Sequence, residues 1–114
     1  MQKAEMVVCI VNLGYEEKIV EIARNVGVTG GTYINANGTG KIDAEKFFGL
    51  SINPEKVVVL FVVDAKKKNT LLKELYKNAG MQTDAQGIAL SLPVDDMTDN
   101  LKVQLFGETE KEGE

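Results

Sequence analysis

The sequence predicts an α+β domain in which four strands form one sheet and two helices cover one of its faces. Three observations lead to this fold class. Apolar segments rich in β-branched residues alternate with turn residues, two segments carry apolar residues at helical spacing, and the two halves of the chain repeat the order strand, helix, strand. A chain of 114 residues has room for one such domain with one core.

The first half opens with an apolar segment, residues 6–11, whose β-branched content is typical of a buried strand. Asn12 and the two residues after it end this strand. Residues 15–26 then place apolar side chains on one face of a predicted helix, and Gly27 stands where a glycine often ends a helix. Residues 28–36 predict a second strand with a glycine-rich start.

The second half repeats this order after a long connection, residues 37–54. Long connections in compact domains are often functional. Residues 56–64 predict the clearest strand of the chain, residues 68–79 a second amphipathic helix, and residues 88–92 a last strand that Pro93 ends. The doubled strand–helix–strand order is that of a ferredoxin-like sheet with both helices on one face.

We expect this domain to span residues 5–100 and to be followed by an acidic, disordered tail, residues 101–114. Two helices leave one face of the sheet open, yet residues 6–11 and 57–63 are apolar on both faces. Soluble monomers rarely expose such a patch. The sequence therefore predicts self-association through this face; the alternative is that the long connection or the tail folds over it.

Composition excludes several classes of function. With 13 Lys and Arg against 17 Asp and Glu, the net charge is −4, which argues against binding nucleic acid or anionic lipid mainly by charge. The chain has no histidine and a single cysteine, Cys9, so a Cys/His zinc site and an imidazole base are both excluded. No apolar run approaches the roughly 20 residues that span a bilayer, and no signal-peptide pattern is present. We expect a cytoplasmic protein.

One glycine-rich segment could cradle an anion. Residues 37–41 read Asn-Gly-Thr-Gly-Lys, and glycines let backbone N–H groups approach an anion that Lys41 could neutralise. The spacing of a P-loop fails, because Asn35 stands at its first glycine and Ile42 follows Lys41 where Ser or Thr is required. An ordinary loop remains the alternative.

Two charged clusters have structural alternatives as well. Lys66, Lys67 and Lys68 oppose the dipole of the second helix, so either that helix starts later or the lysines face an anion; a solvated run is favoured. A second group after the last strand could bind a cation, but capping of a short helix is favoured; it comprises Asp95, Asp96 and Asp99. We expect Cys9, inside an apolar strand, to be an inert core residue.

Four short motifs follow one another along the chain: Gly27-Val28-Thr29-Gly30-Gly31-Thr32 at the second strand, Gly38-Thr39-Gly40-Lys41 before the long connection, Gly80 to Gly87 before the last strand, and Leu90-Ser91-Leu92-Pro93-Val94-Asp95 at the closing strand. In the order and spacing of these motifs, from residue 6 to about Asp99, the chain resembles the PII nitrogen-regulatory proteins, as a divergent member. The second motif matches the segment before the family's T-loop, and the third matches its B-loop.

The resemblance implies a homotrimer that takes part in signal transduction and binds adenine nucleotides or a small metabolite between subunits. It also implies a T-loop that docks on a target protein, such as a transporter or an enzyme of nitrogen or carbon metabolism. Carried over by position, the ligand residues would be Gly38, Thr39, Gly40, Lys41, Asp84, Gly87 and Ile88, and Phe47 and Phe48 would lie on the docking loop. No metal ligand and no catalytic residue are expected.

The chain departs from the family pattern at several ligand positions. Ile42 replaces the glutamine that helps bind magnesium and 2-oxoglutarate, Ile88 replaces the B-loop lysine, and no arginine follows Pro93. No cofactor is therefore assigned, and the expected sensed ligand is ATP, ADP or AMP, or another small anion. The alternatives are a CutA-like structural trimer without a nucleotide, and an acylphosphatase-type enzyme, whose phosphate loop needs an arginine that residues 12–15 lack.

Overall fold

The computed structural model describes residues 2–38 and 55–107. Its elements, in chain order, are β1 Ala4–Asn12, α1 Glu16–Asn25, β2 Thr32–Asn37, β3 Glu55–Asp64, α2 Ala65–Ala79, β4 Ile88–Val94 and α3 Asp99–Phe106. The strands form one sheet in the order β2-β3-β1-β4, and every neighbouring pair is antiparallel. The predicted α+β, ferredoxin-like fold class is confirmed.

The core lies between one face of the sheet and the first two helices. Alternate residues of the two central strands point into it, and each is at most 1% exposed: Val7, Cys9, Val11, Val57, Val59, Phe61 and Val63. From the helix side, Ile19 of α1 and Leu71 and Leu75 of α2 pack against them. Every second residue of each central strand thus packs against the apolar faces of the helices, as the sequence patterns predict.

The opposite face of the sheet, here called the open face, is apolar as well. Its side chains form rows across the strands, since Ile10 of β1 is paired with Val58 of β3 and with Ile88 of β4, and Val58 is paired with Ile34 of β2. Large apolar side chains remain exposed on its two outer strands: Ile34 at 53%, Ile88 at 51%, Leu90 at 46% and Leu92 at 43%. The prediction that the central strands are apolar on both faces is confirmed.

The first helix ends, and the second begins, as capping rules require. Gly27 follows α1 with φ of 86°, the left-handed conformation that glycine adopts most readily. Helix α2 begins at Ala65, three residues earlier than predicted, because the Asp64 side chain accepts a hydrogen bond of 3.0 Å from the Lys66 N–H. Lys67 Nζ donates to the Gly27 carbonyl, 2.9 Å away, and so ties the two helices together without an anion.

Two predictions about the C-terminal part are wrong. Pro93 lies inside β4, which continues to Val94; an edge strand tolerates proline because its outer N–H groups need no partner. Residues 101–106, assigned to the disordered tail of residues 101–114, belong to helix α3, which Gly107 ends with φ of 92°. Leu101, Leu105 and Phe106 are partly buried, which the low amphipathicity of this segment did not indicate.

The acidic cluster before α3 makes local interactions. Asp96 accepts a hydrogen bond of 2.8 Å from the Met97 N–H, and Lys102 Nζ lies 3.5 Å from Asp96 and 3.9 Å from Asp99. The N-cap residue is Thr98 rather than an aspartate, so the predicted capping role is wrong in detail. Asp99 instead lies in the first turn, where a negative charge suits the helix dipole.

Candidate ligand site at one end of the open face

A polar cluster closes the open face at the end where β1 finishes and β3 starts. Asn12 and Lys56 are paired across these strands, and their side chains meet, with Lys56 Nζ donating to Asn12 Oδ1 over 2.8 Å. Asn12 is only 9% exposed, the one buried polar residue in the described part of the chain. A buried amide is stable only when its hydrogen-bonding groups have partners, so Asn12 fixes the lysine in place.

The same asparagine holds the loop between α2 and β4. Its Nδ2 donates to the Asp84 carbonyl at 2.9 Å and to Gln86 Oε1 at 3.2 Å, and its backbone N–H donates to the Ala85 carbonyl at 2.9 Å. Gln86 adopts φ of 49°, an unusual conformation for a residue with a side chain. The loop is therefore anchored next to Lys56 by three hydrogen bonds from one residue.

The charge of Lys56 is not matched by a carboxylate in the described structure. Among residues 2–38 and 55–107, the ion pairs are those of Lys102 with two aspartates. Burial removes water from the Lys56 ammonium and lowers its pKa below 10.5. A partly desolvated cation whose only described hydrogen-bond acceptor is neutral favours the approach of an anion.

Gly87 has a packing role at this site. Its N–H donates to the Ala79 carbonyl at 2.8 Å. A Cβ at this position would collide with that carbonyl and lie 2.9 Å from the Val11 side chain. Only glycine fits between the end of α2 and β1, and its N–H would have to release Ala79 before it could bind a ligand.

The residues assigned by family position fall at one end of the sheet but at opposite edges. Gly38 follows β2, whereas Asp84, Gly87 and Ile88 lie at the start of β4, with β3 and β1 between them. Three strand spacings separate these edges, about 14 Å. The remaining assigned residues lie outside the described part of the chain: Thr39, Gly40, Lys41, Phe47 and Phe48.

Sequence reasoning missed Asn12, Lys56 and Gln86. In the sequence, Asn12 looks like the break that ends an apolar strand, and Lys56 like the polar residue that precedes one. Their relation appears only in the register of β1 against β3, which pairs residues 44 positions apart. An asparagine between an apolar strand and a glycine turn is the one indication the sequence offered.

Solved structures of PII-type proteins share this fold. A PII-like signalling protein from Thermus thermophilus is 17% identical, with a TM-score of 0.63 over 81% of this chain and 86% of that chain. GlnK from B. subtilis, in complex with ATP, is 16% identical, with a TM-score of 0.67 over 87% and 88%. PII from Arabidopsis thaliana, bound to citrate, is 21% identical, with a TM-score of 0.61 over 81% and 78%.

The chain has the PII-like fold. The predicted resemblance to PII-type proteins is therefore confirmed at the level of the fold, at sequence identities of 16–21%. No protein-family model and no curated protein sequence matches the chain. Within the described residues, no helix is both long and apolar enough to cross a bilayer.

Proposed function

We propose that this chain is a PII-like signalling protein that senses a small anionic ligand. The observation that carries the proposal is Lys56, a partly desolvated cation without a described carboxylate partner, which Asn12 holds beside the loop that leads into β4. GlnK from B. subtilis is in complex with ATP, and PII from Arabidopsis thaliana is bound to citrate. A small anionic ligand is of the same chemical class as both.

The proposed functional unit is a homotrimer. The open face carries at least two rows of apolar side chains that a monomer would leave in contact with water. Full burial of each large side chain would stabilise an assembly by about 1.5–3 kcal/mol. In such an assembly the end of β2 in one copy can approach the start of β4 in the next, although these edges are far apart within one chain. Gly38 to Lys41 of one copy, and Asn12 and Lys56 of the next copy, would then contribute to one site.

The ligand class follows from charge. Lys56, together with Lys41 at the ligand position implied by the family resemblance, would supply two cations, which suits the phosphates of ATP, ADP or AMP or a small carboxylate. The absence of histidine in the sequence and the net charge of −4 favour a regulator over an enzyme and over a nucleic-acid binder. We further propose that Phe47 and Phe48 dock on a target protein, such as a transporter or a metabolic enzyme.

The test is a thermal-shift screen, followed by calorimetry, with ATP, ADP, AMP, citrate and bicarbonate. Wild type is compared with Lys56→Ala, Lys41→Ala and the control Lys73→Ala, whose lysine lies exposed on α2. A hydrogen bond to a charged group contributes about 1.5–3 kcal/mol, so Lys56→Ala should weaken binding about tenfold to a hundredfold while Lys73→Ala changes nothing.

Two outcomes contradict the proposal in different ways. If none of these anions stabilises the wild-type protein, a CutA-like structural trimer explains the fold better than a sensor does. If a ligand binds and Lys56→Ala retains full affinity, the protein is a sensor whose site lies elsewhere.

A further inference from the structure

Helix α2 carries an excess of positive charge that the chain as a whole does not share. Its 15 residues include five lysines and one glutamate, a net charge of +4, whereas the net charge of the whole chain is −4. Glu74, the one carboxylate of this helix, accepts a hydrogen bond of 3.1 Å from the Asn78 side chain. None of the five lysines belongs to an ion pair within the described residues, where the ion pairs are those of Lys102. The described part of the chain therefore leaves this charge unbalanced.

Three of the lysines form one exposed row on α2, here called the lysine ridge: Lys66, Lys73 and Lys77. They lie seven and four residues apart, which places them on one face of a helix. All three are exposed, whereas Leu71 and Leu75, on the opposite face, are buried in the core. At a rise of 1.5 Å per residue, the ridge is about 16 Å long.

The last turn of α3 lies at the end of α2 where the lysine ridge begins. Gln104 and Leu105 line the same small pocket as Gly27 and Lys67. The Gln104 side chain also reaches Gly30, since a Cβ at that glycine would lie 3.6 Å from Gln104 Nε2. Lys67 in turn donates to the Gly27 carbonyl at 2.9 Å. The chain therefore leaves α3 close to the first turn of α2.

The sequence that follows α3 has the charge that the lysine ridge lacks. Residues 108–114 read Glu-Thr-Glu-Lys-Glu-Gly-Glu, with a glutamate at every second position. Because the side chains of an extended segment alternate between two sides, this spacing can place all four carboxylates on one side and Lys111 on the other. At about 6.6 Å between successive glutamates, the four carboxylates would span about 20 Å, close to the length of the ridge.

We propose that residues 108–114 lie extended along the lysine ridge of their own chain, with the four glutamates facing the lysines. The occupant of the ridge is thus a segment of this chain, assigned by its charge pattern and by the place where α3 ends. Seven extended residues reach at most about 23–25 Å, enough to run from the first turn of α2 to Lys77. Exposed ion pairs are weak singly, but a tethered segment meets its site at an effective concentration of about millimolar. The segment then keeps free acidic peptides of similar affinity off the ridge.

The test is paramagnetic relaxation enhancement from a nitroxide attached to Gly113→Cys in the full chain. Cys9 needs no replacement, because it is 1% exposed and burial raises the pKa of its thiol to about 12. The nitroxide should broaden the amide signals of Lys73 and Tyr76 at low salt. The double variant Lys66→Gln/Lys77→Gln should remove at least about half of this broadening, since two of the three charges are lost. Lys18→Gln, an exposed lysine of α1, is the matched control and should remove none.

Salt and mixed samples give the results that would overturn the proposal. About 0.5 M salt should abolish the broadening, because it screens exposed charges. Broadening that persists both at high salt and in the double variant would refute the charge match, and no broadening of α2 at low salt would place the segment elsewhere. Equal broadening of isotope-labelled chains by separate spin-labelled chains would assign the segment to another copy.

The proposal is independent of the ligand proposed above. The lysine ridge and the Lys56 cluster share no residue, and Lys56→Ala should leave the broadening from Gly113→Cys unchanged. Broadening in a protein that binds none of the anions would refute the sensor proposal and leave the placement of residues 108–114 standing.

Discussion

The two faces of the sheet are formed by the same strands but differ in how far their side chains are buried. On the helix side, Phe61 and its neighbours of β1 and β3 are at most 1% exposed. On the open face, the alternating residues are also apolar, yet outer positions such as Ile88 and Leu90 remain about half exposed. On the helix side the two central strands are covered within one chain, whereas the open face has the composition of an interior without a cover.

The difference shows that a strand with apolar residues on both faces can contribute to two separate buried layers. A strand with one solvated face normally alternates apolar and polar residues. Here Leu60, between two core residues, is apolar too, and its row crosses the sheet from Thr32 to Leu90. Amide and charged side chains end the apolar surface along the two central strands: Asn12 and Lys56 at one end, and Asp64 at the other.

The sharpest contrast between the faces is expected from Phe61→Ala and Leu60→Ala. Loss of the buried Phe61 ring should lower the free energy of unfolding by about 3–5 kcal/mol at every chain concentration. Loss of Leu60 should act mainly through assembly, so that its cost grows as the chains are diluted. Urea denaturation at two chain concentrations measures both, and a Leu60→Ala effect that is independent of concentration would mean that the open face is not an interface.

A smaller effect is expected where the two faces meet the loop into β4. Gly87→Ala forces a methyl group against the Ala79 carbonyl and the Val11 side chain, which should cost about 1–3 kcal/mol. Gly14→Ala is the control: it has open space around its Cβ but φ of 102°, so only backbone strain of about 1 kcal/mol applies. Thermal unfolding compares the two, and an equal or smaller loss for Gly87→Ala would show that α2 shifts to admit the methyl group.

The smallest expected effect is electrostatic and concerns Lys56. Its pKa is lowered by burial, so the unfolded chain binds more protons than the folded one between the folded pKa and 10.5. Stability should therefore rise with pH across that alkaline interval, in addition to the contributions of other groups. The difference in free energy of unfolding between wild type and Lys56→Gln, measured as a function of pH, isolates the contribution of Lys56, and Lys73→Gln is the control. A difference that does not change with pH would mean that Lys56 is fully solvated.

Much of the fold could be predicted from local patterns. The β-branched segments and the glycines after α1 and α2 determined the order of elements, since strand and helix periods differ clearly. Helix α3 was not predicted, because its apolar residues Leu101, Leu105 and Phe106 are few and follow an acidic stretch that resembles the start of a tail. The end of β4 was misplaced at Pro93 because proline is excluded from inner strands but not from edge strands. Whether a strand lies at the edge depends on the tertiary fold, which the local sequence does not show.

The candidate site was harder to predict than the fold. Glycine motifs indicated Gly38 and the loop before β4, but Lys56 and Asn12 are joined only by the register of β1 against β3. Gly87 was assigned a ligand role, whereas the contacts around it explain the glycine by packing. A motif read along the chain cannot distinguish a glycine that exposes an N–H from one that makes room for a helix.

The measurement that tests the central claim most directly is the mass of the particle in solution. Multi-angle light scattering of the purified 12.4 kDa chain at micromolar concentration should give about three chains per particle, and Leu60→Asp, which places a charge in the middle of the open face, should give single chains that still fold. A wild-type protein that is a monodisperse monomer would contradict the claim that other copies bury the open face.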